Sequence, residues 1–245
     1  MPDVERPPAI GRVHVLRSFD LAVEGVSYQL PLGAQRALAV LAVAGKPPHR
    51  SLVAAQLWPD QSEDRAGATL RTVLWQIRRV VPGAVVCSGS RLALAAEVEV
   101  DLHSAVCWAK RIEDGQYPLP GLDLETLFGH DVLPAWSDDW AVIERERFRQ
   151  IRLHAMETLC RSLSSSGRHA TAIEVGLLAV SADSLRESAQ RVLIEAHLAE
   201  GNVSEAVRQY RSFEEELRDA LGVGPSAALA ALVPDRRNRR SAYVR

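Results

Sequence analysis

Apolar and polar positions divide the 245-residue chain into two stretches of different period. Gly11 to Asp20 alternates, with Val13 and Val15 on one side, and predicts a strand. Leu21 to Leu30 continues as two extended runs about a turn at Glu24-Gly25. Gly33 to Ala44 is rich in alanine and leucine and ends at Gly45 and Pro47-Pro48, which predicts a helix. Ser51 is placed to cap a short helix, Leu52 to Trp58, stopped by Pro59. Ser62 is placed to cap a longer one through Val81, with Glu63 and Asp64 where the helix dipole favours acids. Val85 to Cys87 and Arg91 to Leu94, joined across Ser88-Gly89-Ser90, read as a β-hairpin.

From Val100 onward the period is helical. His103 to Glu113 is one predicted helix, Tyr117 to Pro134 a connection bearing proline and glycine, and Ser137 to Leu163 a long amphipathic helix. Gly167-Arg-His-Ala-Thr-Ala172 and Gly201-Asn-Val-Ser-Glu-Ala206 then open equivalent helices 34 residues apart. That spacing is the tetratricopeptide period, in which each helical hairpin buries a face on its neighbours. A generic helical bundle is the plainer alternative. The expected fold class is an α+β winged helix-turn-helix domain over 1–99, followed by an all-α tetratricopeptide-like domain over 100–233. A basic, disordered tail is expected over 234–245.

Charge sharpens this division. The net charge of −2 conceals 11 basic against 9 acidic residues in 1–100, 13 against 22 in 101–235, and five arginines without an acid in the last ten. Arg65, Arg71, Arg78, Arg79 and Arg91 follow one another with no acid between them. A local positive stripe on an acidic protein is the footprint of a nucleic-acid site. On charge alone a solvated helix face explains the run more simply.

Helical phasing makes the case more specific. Turning about 100° per residue, Ala66, Leu70, Val73, Leu74, Ile77 and Val81 share one face, which is expected to pack inward. Arg65, Ala68, Thr72, Trp75, Gln76 and Arg79 share the opposite one, with Arg71 and Arg78 on its shoulder. Arginine pairs with guanine edges, glutamine with adenine, and threonine reaches a base edge or a thymine methyl. Such a helix belongs in a major groove, with the hairpin touching phosphate or the minor groove. Trp75 has two readings: a cover over the core near the hairpin, slightly favoured, or a base or sugar contact. Arg78 and Arg79 also answer the helix dipole, with at least one expected on phosphate. Arg91 is a candidate backbone or minor-groove contact, or else a solvated strand arginine. Arg36 and Arg50 are weaker phosphate candidates.

Other chemistry finds little footing. There is no Walker loop, dinucleotide-binding glycine pattern or Gly-x-Ser-x-Gly elbow. His103 and Cys107 stand at i, i+4, but no further ligands cluster with them, so a structural role is expected. Asp138 and Asp139 read as cap residues. No enzyme activity, cofactor or metal is expected. Cys87, Cys107 and Cys160 are scattered, as a reducing cytosol permits. No apolar run reaches membrane-span length and no secretory leader is evident, so a cytoplasmic protein is expected.

Several of these segments resemble the Streptomyces antibiotic regulatory protein (SARP) family, which joins a response-regulator-type winged helix to a bacterial transcriptional activation domain. The resemblance is carried by Ala37 to Ala42, Leu57-Trp58-Pro59-Asp60, Leu70 to Arg79, Ser88 to Leu92 and Val98 to Asp101. It continues in Trp140 with Glu144 to Arg149, and most specifically in Gly201 to Ala206, Arg208-Gln209-Tyr210 and Leu217 to Ser226. It spans about residues 10–233. Many members carry serine and arginine in place of Trp75 and Gln76, so their base preference does not transfer. The resemblance implies an activator of secondary-metabolite (antibiotic) genes. Such a protein binds promoter direct repeats in double-stranded DNA, contacts RNA polymerase and acts as a homodimer on DNA. The rival readings are a helical-repeat adaptor that only binds protein, and a DNA-binding repressor or ligand-responsive regulator.

Overall fold

A computed structural model describes residues 10–116 and 123–234, in two compact units. Among the described residues, the first comprises 10–107 and 130–149, the second 108–116, 123–129 and 150–234. The residue pattern predicts a single boundary at 99/100. The unit is instead discontinuous, since residues 130–149 pack with the N-terminal part. The expected tail lies, apart from Pro234, outside the described residues.

In the first unit, β1 (Gly11–His14), β2 (Asp20–Val23), β3 (Val26–Ser27) and β6 (Val98–Val100) form one sheet in the order β3-β2-β1-β6. β1 runs antiparallel to β2 and parallel to β6. The expected strand from Gly11 to Asp20 breaks after His14, where Arg17 takes a φ of 72° and reverses the chain. Glu24 and Gly25, both at positive φ, make the tight β2–β3 turn. Asp101 joins the ends of β1 and β6: its carboxylate accepts from the Val15, Leu16 and Leu102 amides at 2.7–3.1 Å.

Three helices lie between β3 and β6: α1 (Leu32–Val43), α2 (Arg50–Leu57) and α3 (Glu63–Val80). α1 is apolar nearly all round, as a helix enclosed by its neighbours must be, and Ala37 through Val43 are all buried. α2 starts one residue before its expected cap. His49, not Ser51, occupies the cap position, and its ring accepts from the Ser51 amide. The hairpin follows as β4 (Val85–Ser88) and β5 (Arg91–Leu94), closed by Gly89-Ser90 with Gly89 at φ 59°. α4 (Asp101–Glu113) begins here.

The 130–149 segment completes this unit. The Leu133 amide donates to Val15 O at 2.9 Å, and the Arg17 amide to Asp131 O at 2.8 Å. Trp136 stacks on Phe19 with centroids 6.0 Å apart. Arg145 spans the Val132, Leu133 and Trp136 carbonyls.

The second unit is helical. α5 (Leu124–Phe128) forms inside the stretch read as a plain connection, with Asp123 capping it through the Thr126 amide. The expected long helix is α6 (Asp139–Ser165). α7 (His169–Ala182), α8 (Glu187–Glu200), α9 (Val203–Leu221) and the single turn α10 (Ala227–Ala230) follow. Gly201, at φ 90°, ends α8 in the left-handed conformation that glycine tolerates best. α7 and α9 start 34 residues apart, as the repeat predicts, although the second helix of the second repeat is reduced to α10. Ile194, Ala206, Phe213, Leu217 and Leu229 form one core cluster. Buried Glu157 accepts from Arg186 and Ser188 at 2.6 and 2.7 Å, which satisfies a charge that burial would otherwise penalise.

Candidate nucleic-acid interface

α3 is divided as its phasing predicts. Ala66, Leu70, Val73 and Ile77 are buried, Leu74 is half-buried, and Val81 just beyond the helix is buried. This face packs against α1 and α2. A Cβ on Gly33 would meet Val73 at 3.3 Å, so α1 approaches α3 closely at its start. The orientation of α3 is therefore set by its apolar side, leaving the opposite side free to carry any polar set.

That side presents Arg65, Ala68, Arg71, Thr72, Trp75, Arg78 and Arg79 to solvent, with Gln76 half-buried among them. Among the described residues, none of these four arginines reaches a carboxylate. By contrast, Arg12, Arg147, Arg191 and Arg218 each pair with one, at 2.7–3.4 Å. Four exposed guanidiniums on this side of α3, none held by a carboxylate among the described residues, give it a positive field that attracts an external anion.

Trp75, Arg36, Asp138 and Arg91 sit differently from what their sequence positions suggest. Trp75 does not cover the core: it is 57% exposed, and the Arg79 guanidinium lies over its ring, 5.0 Å from the centroid. The ring also borders a cleft of about 380 Å³ that Leu74, Arg78, Val85 and Cys87 help to line. Arg36 is not available to phosphate, because it is paired with Asp138. Asp138 accordingly offers its carboxylate to Arg36 and only its backbone carbonyl to the start of α6. Arg91 is exposed but tethered, donating to Pro47 O at 2.8 Å. Thr72 donates its hydroxyl back to Ala68 O at 3.3 Å and remains exposed on the face.

The hairpin is held in place by more than Arg91. Leu92 N donates to Pro48 O at 3.0 Å, Arg50 N donates to Ser90 O at 2.8 Å, and His49 bridges Arg91. The chain before α2 thus acts as a short third strand beside the wing. This tether joins segments about 40 residues apart through backbone atoms, which leave no signal in the residue pattern. Arg50 is half-buried at the start of α2.

Among the described residues, no three His, Cys, Asp or Glu side chains gather as a metal site, and no helix is long and apolar enough to cross a membrane. His103 Nε2 sits 2.7 Å from Ala42 O, a structural contact between α4 and the end of α1.

Residues 126–234 match the family model described as "Bacterial transcriptional activator domain". No curated protein matches the chain. Among solved structures, the chain is similar to Mycobacterium tuberculosis EmbR in complex with a low affinity phosphopeptide. The two are 16% identical, the match covers 95% of this chain and 68% of that one, and the TM-score is 0.68. At that identity the likeness shows a shared fold: a winged helix-turn-helix followed by an all-α activator domain.

Proposed function

We propose that the chain, with a winged helix first and a match to the bacterial transcriptional activator domain over 126–234, is a transcription regulator of the Streptomyces antibiotic regulatory protein type that binds promoter DNA through α3 and the β4–β5 wing. Arg65, Arg71, Thr72, Gln76 and Arg79 contact base edges or phosphates, Trp75 and Arg78 flank them, and Arg91 marks the wing. One observation carries this reading: the exposed arginines of α3 have no carboxylate partner among the described residues. The protein works in the cytoplasm as a homodimer on direct repeats. Its helical unit contacts RNA polymerase, and its targets are secondary-metabolite genes. These finer points rest on the family resemblance.

The test is binding of the full chain to promoter fragments from its own genomic neighbourhood, titrated against salt. An Arg71→Ala/Arg79→Ala double variant is expected to bind about a hundredfold more weakly at fixed salt. Each arginine that contacts phosphate should also take about one unit from the salt slope. Unchanged affinity in that variant would sink the assignment of α3. The complete absence of salt-dependent affinity would favour the protein-binding adaptor instead.

A further inference from the structure

Trp75 is a large apolar side chain on a face otherwise built of polar and small residues. Of its two expected roles, the cover over the core does not fit its surroundings, and the other is narrowed by a neighbour. It is too exposed to be core. The Arg79 guanidinium covers one face of the indole, 5.0 Å from its centroid, so that face is engaged with a cation and only the other is open to a base.

We infer that Trp75 is a positioning residue that reads DNA through Arg79. This rests on the proposal that α3 enters DNA. The two residues stand at i, i+4, which places their side chains over one another on a helix. The indole's negative face attracts the guanidinium plane and restricts its rotation. Arginine presents its donors in a flat fork, so fixing the plane fixes the direction in which that fork can grip a guanine edge or a phosphate. An arginine pre-set in this way loses less side-chain freedom on binding than a solvated one. The same face holds Arg65, Arg71 and Arg78, which have no aromatic beneath them among the described residues. Arg79 is therefore the arginine whose contribution depends on a neighbour, and Trp75 sets how selective it is.

The test is a double-mutant cycle with the full chain on two probes: a duplex enriched by the unaltered protein from a random-sequence pool, and a scrambled duplex of equal length. On the enriched duplex, Trp75→Ala is expected to weaken binding about tenfold when Arg79 is present, and less than twofold in an Arg79→Ala background. Trp75→Tyr, which keeps a ring under the guanidinium, should recover most of the loss. On the scrambled duplex, Trp75→Ala should change affinity less than on the enriched one. Thermal melting of the free variants should match the unaltered chain, because Trp75 lies outside the core. An equal loss from Trp75→Ala in both backgrounds would overturn the inference, since the indole would then contact DNA itself. Equal losses on the two probes would overturn the link to selectivity. If no duplex is enriched at all, the DNA reading of α3 fails, and this inference with it.

Discussion

Individual side chains carry both the interface and the tightest packing. Gly176, within α7, is a costly choice on helix propensity alone, by about 1 kcal/mol against alanine. Its position explains it, for a Cβ there would meet Leu193 Cδ1, Cβ and Cα at 3.1–3.3 Å. Two of those atoms are fixed by the α8 backbone and cannot swing aside. Gly176→Ala is therefore expected to lose about 1–2 kcal/mol, read as a lower melting temperature, despite alanine's better propensity. A higher melting temperature would show that α8 can yield. Cys160 gives a second test at this scale. It is wholly buried, its thiol faces Ala172 O at 3.1 Å, and burial pushes its pKa up to about 12. Because the folded value lies above the ordinary 9.0, stability is unaffected below about pH 9 and falls as pH rises from there toward 12. In the native protein at neutral pH, a thiol reagent should label exposed Cys87 and Cys107 and leave Cys160 for the unfolded chain.

At the scale of elements, legibility follows how locally each element is determined. α3 was readable because its buried and exposed sides are both encoded within 18 residues at one period. The 34-residue spacing of α7 and α9 was readable because glycine at Gly167 and Gly201 marks the same turn twice. α5 was not, since five residues flanked by proline and glycine carry no period, and its stability comes from Asp123 and the burial of Phe128. The α2 cap was misplaced because histidine is an unusual capping residue. No local rule reports that its ring will accept from Ser51 N. The environment of Trp75 was misjudged for a related reason: a tryptophan on a polar face suggests burial until its partner four residues on is recognised as a cation.

On the scale of the whole chain, the sequence gives the order of the two folds but not the return of residues 130–149 to the first unit. That return depends on pairs such as Arg36 with Asp138, which lie 102 residues apart and leave no local signal. It makes a specific prediction about fragments. A piece ending at residue 99 loses Asp101, leaving the Val15 and Leu16 amides without their acceptor. It also strips Leu133 and Trp136 from Val15 and Phe19. Such a fragment should melt well below one ending at residue 149. The loss is expected to be several kcal/mol, from unsatisfied buried donors and exposed apolar surface. Equal melting temperatures would show that the returning segment adds little to the fold.

The two-sidedness of α3 has a consequence for how such a protein can change. Its inward residues hold the scaffold together, and the contacts of Thr72 and Arg79 on its outward side stay within the helix itself. Replacing Arg65, Thr72, Gln76 or Arg79 in combination therefore leaves the melting curve nearly fixed, since surface substitutions clear of packed features stay within about 0.5 kcal/mol. On the proposed reading of α3 as the DNA-binding helix, a new target sequence can be met by exchanging a few residues on one helix, without compensating repairs in the core.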